Sequence, residues 1–314
     1  MTAEWQLPVE VNIIDLEFGG VHGRIGAYLL ETEIGLVLIE AGPASTLDAL
    51  EAGLASRGYQ LSDISDVFVT HIHLDHAGSC GWLAEQGCRI YVHEFGAQHL
   101  SDPTRLMESV RRIYGKQTDV LWGEVKPVPE ALICPMRDGD VFDLGNASLK
   151  AYETPGHARH HHALLLDDGH QRSCFTGDAA AMLIPAYERF ILLPTPPPEF
   201  DLQAWLASLD LLERVQAEAY FLTHFGKIEN PKSHFQWVRE ALSAHCSFIA
   251  ERVQQQMSLD EIMQAYQPWF QSIANEAGVE SQTYDANVHT YLIRMNVVGI
   301  MRYLDKKQER AKQH

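Results

Sequence analysis

Nowhere does the sequence hold an apolar run approaching the roughly 18–20 residues that a membrane-spanning helix requires. Its opening residues, Met1-Thr2-Ala3-Glu4-Trp5-Gln6, lack the basic start and apolar stretch of an export signal. Cytoplasm is therefore the expected location, with no membrane partner. Cysteine is scarce: Cys80, Cys88, Cys134, Cys174 and Cys246 are five in number and contain no Cys-x-x-Cys pair, which argues against a disulfide framework and a thiolate metal site. Positive charge is also short. Lys and Arg number 24 against 42 Asp and Glu, a formal net charge of −18. Phosphate backbones are bound by Lys and Arg that release counterions, so nucleic acid is disfavoured as the main partner. The one basic run, Lys306 to Lys312, ends a helix-like segment, where cations complement the helix dipole. With 46% hydrophobic and 21% charged residues over 314 positions, the chain can hold one large core of ~200–250 residues plus a smaller unit.

Histidine is what the chain has in concentration. His71-Ile72-His73-Leu74-Asp75-His76 packs three imidazoles and a carboxylate into six residues directly after the apolar Val67-Phe68-Val69. Imidazole and carboxylate are the usual partners of zinc and similar divalent ions, and a short loop can aim them at two ions at once. Three further strand-like runs end in a candidate ligand. Ala147–Tyr152 leads to Thr154-Pro155-Gly156-His157, Ser173–Thr176 to Gly177-Asp178, and Ala219–Leu222 to Thr223-His224. The carboxyl ends of strands are where α/β proteins place reactive groups. Single histidines are commonly satisfied surface or structural groups, and His22, His93, His99, His170, His234, His245, His289 and His314 read that way. His160, His161 and His162 extend the third motif. His161 is either a group that orients a metal ligand or part of a strand edge.

The order His-x-His-x-Asp-His, Pro-Gly-His, Gly-Asp and Thr-His resembles the signature of the metallo-β-lactamase superfamily, from about the first strand to His224. The resemblance implies an α/β fold, a four-layer αβ/βα sandwich of two similar halves with metals in a cleft at one edge. It implies two divalent ions per chain, Zn first and Mn or Fe as alternatives. His71, His73 and His157 would hold one ion, Asp75, His76 and His224 the other, and Asp178 would bridge both. Two such ions about 3.5–4 Å apart lower the pKa of a shared water towards 7 and polarise a substrate oxygen. The catalytic candidates are then Asp178, orienting the water, and Asp75, passing a proton to the leaving group.

Departures within the resemblance narrow the reaction. Asp178 stands where many zinc β-lactamases carry a Cys ligand, so lactamase activity is not implied. The loop with Asp75 is the form of glyoxalase II, lactonase and nuclease-like relatives, although the basic glutathione clamp of glyoxalase II has no counterpart here residue by residue. The expected reaction is hydrolysis of a small ester, thioester or lactone. The alternatives are a mononuclear iron dioxygenase of persulfides using His71, His157 and Asp178, a phosphodiesterase or nuclease-like hydrolase, and a protein that keeps the metal without turnover.

The expected organisation is a catalytic domain over 1–228 and an all-helical C-terminal extension over 229–314. Strands are expected at Val11–Leu16, Ile25–Leu30 and Leu36–Glu40, and helices near Thr46–Ser56, Gly78–Gln86 and Asp201–Gln216. Residues 94–130 read as a helical insertion that either shapes the pocket or covers the sheet. Pro194-Thr195-Pro196-Pro197-Pro198 must be stiff and extended, as a linker or a lid. Asn230-Pro231 opens a helix, and Ser258-Leu259-Asp260-Glu261 is a capping box. The helical extension would form a pocket wall or a homodimer interface.

Overall fold

The computed structural model describes residues 8–313, with side chains to residue 310, so Met1–Gln6 and His314 lie outside the described residues. The chain forms two compact units that interleave in sequence. The first comprises the residues up to Glu153, His160–Gly177 and Val215–Ile228; the second comprises Thr154–Arg159, Asp178–Arg214 and the chain from Glu229 onward.

The first unit holds two six-stranded sheets. One consists of β1 (Val11–Asp15), β2 (Gly26–Thr32), β3 (Gly35–Ile39), β4 (Ile64–Phe68), β5 (Arg89–His93) and β6 (Ile133–Met136), in chain order. The other runs from β7 (Val141–Asp143) through β8 (Ser148–Glu153), β9 (His162–Asp167), β10 (Arg172–Phe175) and β11 (Ala219–Leu222) to β12 (Gly226–Lys227). Strand β2 explains the layering. Its side chains alternate between faces: Ala27 and Leu29 join one core, Tyr28 and Leu30 the other. The second core also contains Leu149, Ala151, Leu164, Leu166 and Phe175 of the partner sheet, so it lies between the sheets. The first core takes Leu50, Leu54, Leu83, Leu100, Met107, Val110 and Trp122 from helical segments on the outer face of the β1–β6 sheet. The segment over 94–130 forms helices Glu94–Ser101, Thr104–Tyr114 and Thr118–Trp122, and these buried side chains make it a cover for the sheet.

Parallel pairing brings functional strand ends to common edges. β3 and β4 are parallel, with Ile39 opposite Phe68, and β10 and β11 are parallel, with Phe175 opposite Phe221. The residues that follow these strands therefore emerge side by side.

The second unit is helical: Leu202–Val215 up to Arg214, then Pro231–Gln254, Leu259–Glu276, Ser281–Asn287 and Thr290–Gln313. The Asn230 side chain caps one helix by accepting from Ser233 N–H, and the Ser258/Glu261 capping box starts the next. Phe235, Leu242, Tyr266, Phe270, Val297 and Ile300 are buried within it. The proline-rich segment is ordered there. Asn296 Oδ1 accepts from Thr195 N–H at 3.1 Å and from Thr195 Oγ1 at 3.0 Å, and Lys306 donates to Pro198 O at 2.8 Å.

Candidate metal centre

Four apolar residues, Leu36-Val37-Leu38-Ile39, carry β3 into the interior and end at Glu40, a buried carboxylate with a left-handed backbone (φ 67°). Its backbone N–H donates to Phe68 O at 2.8 Å, which sets it beside the end of β4. Glu40 then collects the donors of the histidine loop. Oε1 accepts from Thr70 Oγ1 at 2.6 Å, His76 Nδ1 at 3.0 Å and Thr223 Oγ1 at 2.9 Å, and Oε2 accepts from Thr70 N–H at 3.2 Å. A buried carboxylate is tolerated only when its lone pairs are used in this way.

This network decides which imidazole nitrogens are available. His76 donates Nδ1–H to Glu40, which leaves the Nε2 lone pair facing away. Thr70 spends its hydroxyl proton on Glu40, so Thr70 Oγ1 is the acceptor for His71 Nδ1–H at 3.1 Å, and His71 Nε2 is likewise left as a lone pair. His71 Nε2 and His73 Nδ1 lie 2.9 Å apart. Two nitrogens that close require a proton or a cation between them.

The end of β11 supplies the next candidate ligand. His224 Nδ1 donates to Arg24 O at 2.8 Å, and its Nε2 lies 3.4 Å from both His76 Nε2 and Asp75 Oδ2. Asp75, His76 and His224 thus offer ligand atoms all within 4.8 Å of one another. Donors about 2.0–2.1 Å from a zinc ion at tetrahedral angles sit about 3.3 Å apart. The spacing fits a metal. The short helix Leu74–Ala77 presents Asp75 and His76, and its His76 carbonyl accepts from Ala41 and Gly42 N–H at 2.8 and 3.1 Å.

Within the second unit, His157 and Asp178 come together, with His157 Nε2 3.3 Å from Asp178 Oδ2 and both side chains buried. His157 Nδ1 donates to Pro194 O at 2.8 Å. Helix Leu202–Val215 builds this corner: Trp205 Nε1 donates to Ala179 O at 2.7 Å, Ser208 Oγ to Pro155 O at 2.6 Å, and Asp201 N–H to Gly156 O at 2.8 Å. Gly156 (φ 136°) is pressed against the Trp205 backbone, where an added Cβ would meet Cα at 2.3 Å. Only glycine fits.

His161 is buried against His71, with ring centroids 4.9 Å apart. An added Cβ on Gly177 would come within 2.6 Å of both His161 Nε2 and Thr70 Oγ1, so glycine lets β10 end directly behind this pair. His160 lies farther off, 6.1 Å from His71. Sequence reasoning misses Glu40, Thr70 and Thr223 as site residues. A carboxylate closing an apolar strand is the signal that could have found the first. It also misses a second grouping: His93, at the end of β5, is buried beside Glu153 and His162. His22 and His170, by contrast, are exposed.

Residues 23–224 match the family model of the metallo-beta-lactamase superfamily. The chain belongs to the metallo-beta-lactamase superfamily. A metallo-beta-lactamase fold-containing protein of Sulfurisphaera tokodaii is 28% identical over 231 residues, 71% of this chain and 85% of that protein. The solved structure of a metallo-beta-lactamase family protein from Thermus thermophilus shares the fold with a TM-score of 0.71, covering 96% of this chain and 94% of its own at 20% identity. The atrochrysone carboxyl ACP thioesterase of Aspergillus fumigatus is 29% identical over 166 residues, 51% of this chain and 42% of the thioesterase, so this chain spans less than half of it. Superfamily members are generally metal-dependent hydrolases, and this chain has the superfamily's α/β sandwich with a helical C-terminal region.

Proposed function

We propose that this chain is a dinuclear metal-dependent hydrolase of a small carboxylic ester, thioester or lactone. The Glu40 network carries the reading. One buried carboxylate fixes the tautomers of His71 and His76 and holds the residue before His224, which is how protein ligands are commonly oriented for metal. In this reading His71, His73 and His157 would hold one ion, Asp75, His76 and His224 the other, and Asp178 would serve both. His161 backs His71. Chain links support the joining of the two sets, since Asp178 follows Gly177 by one peptide bond and His157 is three residues from His160.

The N and O donor set, without thiolate, suits Zn and also Mn or Fe. When bound, two divalent ions supply a water acidified towards neutral pH and a Lewis acid for the scissile carbonyl. Asp178 would orient that water by accepting a hydrogen bond from it. Asp75, 26% exposed, would relay the proton lost by that water to the departing oxygen or sulfur. The thioesterase relative supports including thioesters. Free cysteines, and no described helix long and apolar enough to cross a membrane, accord with a cytoplasmic enzyme of a small-molecule substrate. The 229–314 helices form the second domain in this reading.

The test is turnover of an aryl ester, an acyl thioester and a lactone by metal-depleted protein, before and after Zn is restored. Metal-dependent hydrolysis of at least one class, lost in Asp178→Asn, is expected. Zn-loaded protein that hydrolyses none of them, or equal turnover by Asp178→Asn, overturns the reading.

A further inference from the structure

We propose that His93, Glu153 and His162 form a second, separate binding site for one divalent cation of the zinc type. All three belong to the first unit, where β5 of one sheet ends beside the β8–β9 pair of the other. Glu153 and His162 are direct cross-strand partners, so their side chains leave the same face. One nitrogen or carboxylate oxygen from each of the three lies within 4.8 Å of the others.

Two observations point to a ligand. His162 is fully buried, and neither Nδ1 nor Nε2 has a hydrogen-bond partner among the described residues. A buried imidazole left so is costly, and a cation bonded to one nitrogen removes the part of that cost that belongs to the unpaired lone pair. Second, His93 Nε2 lies 3.4 Å from Glu153 Oε1, beyond the usual 2.7–3.2 Å of an N–H···O bond and close to the about 3.3 Å separating two donors on a tetrahedral zinc. The His93 and His162 rings are stacked with centroids 4.5 Å apart, which holds the two imidazoles side by side. Burial keeps His162 neutral, its pKa lowered to about 3, which is the form a metal needs. Glu153 is 44% exposed, so the site has an entry path and room for water as the fourth ligand.

The tautomer of His93 sets the strength. Its Nδ1 accepts from Phe95 N–H at 3.1 Å, which leaves the proton of the neutral ring on Nε2. A cation at Nε2 moves that proton to Nδ1 and forfeits the Phe95 bond, weakening binding by about tenfold relative to a preset ring. His71, His76 and His224 are preset the other way, by Nδ1–H donation. The cation at His93 is therefore the first to leave.

The proposal is independent of the hydrolase reading, and metal stoichiometry tests it on the full chain. Wild type, Glu153→Gln and His162→Leu are dialysed against saturating Zn and assayed for metal, with near-UV circular dichroism to confirm folding. Wild type should hold one equivalent more than either variant, and a graded chelator should remove that equivalent first. The same one-equivalent difference should persist in the His224→Ala background, whatever the main centre binds. Equal metal in wild type and both folded variants overturns the site. Should His162→Leu misfold, Glu153→Gln alone decides.

Discussion

Replacing Glu40 with Gln should loosen the histidine loop and the metal together. Glu40 accepts four hydrogen bonds, three on Oε1 and one on Oε2. In the cheaper orientation Gln keeps its oxygen on the three donors and points its NH2 at Thr70 N–H. One bond is then lost with donor facing donor, about 1–2 kcal/mol, and three charge-assisted bonds become neutral ones at about 1 kcal/mol each, giving a loss of about 4–5 kcal/mol. At 2–4 °C per kcal/mol, the midpoint of thermal unfolding should fall by roughly 10 °C. Because the Nδ1 protons of His71 and His76 lose their anchor, metal affinity should fall about 10- to 100-fold. Melting of metal-free protein by circular dichroism reads the first effect, and competition with a chromophoric chelator reads the second. The exposed Glu51→Gln is the control. A Glu40→Gln protein melting within about 2 °C of wild type, with affinity within about threefold, would refute the tautomer argument.

The second unit and the strand ends give further tests. Asn296→Ala removes the side-chain acceptor of the buried Thr195 N–H, beside the Pro194 carbonyl that orients His157, while Thr195 Oγ1 keeps the residue-296 carbonyl at 3.3 Å; it should cost about 1–3 kcal/mol in urea unfolding and weaken metal retention, and an unchanged midpoint would contradict it. Burial lowers the pKa of His245 to about 3 and that of His234 to about 4, so below about pH 6.5 the unfolded chain takes up protons that the folded chain refuses. Metal-free protein should lose stability on acidification from pH 6.5 to 4, by up to about 1.4 kcal/mol per pH unit for each group, and His245→Leu should reduce the slope by one proton. A slope unchanged in that variant would contradict the assignment. Gly177→Ala should push His161 and Thr70 apart and lower both melting temperature and metal content, whereas Gly169→Ala, at a left-handed glycine with open space around it, should keep full metal content.

The candidate ligands were legible because each follows a strand whose apolar pattern is local. Val67-Phe68-Val69 before the histidine loop, and Ala219–Leu222 before Thr223-His224, carry their own signal, and β11 occupies the residues expected of it. Helix caps were equally local: Asn230 and Ser258 make the side-chain bonds their spacing predicts. What stayed hidden depends on distant partners. β5, β6 and β7 are three to five residues long and exist through pairing with neighbours far along the chain. Glu40 looks like the end of a strand until Thr223, 183 residues later, donates to it. The interleaving of the two units is similarly nonlocal, because Thr154–Arg159 and Asp178–Arg214 group with the C-terminal helices through packing that no periodicity records. Pro268 within helix Leu259–Glu276 shows the converse, a local helix-breaking signal overridden by the burial of Tyr266 and Phe270.

In the proposed centre His71, His73, Asp75, His76, His157, Asp178 and His224 hold two ions. Elemental analysis of protein purified anaerobically without added metal tests it most directly, with Asp75→Ala and His157→Ala alongside. At least two equivalents of Zn or Mn are expected in wild type, with each variant losing metal and Glu40→Gln losing it to a chelator sooner. A single Fe per chain, or metal content indifferent to those substitutions, would contradict the dinuclear centre.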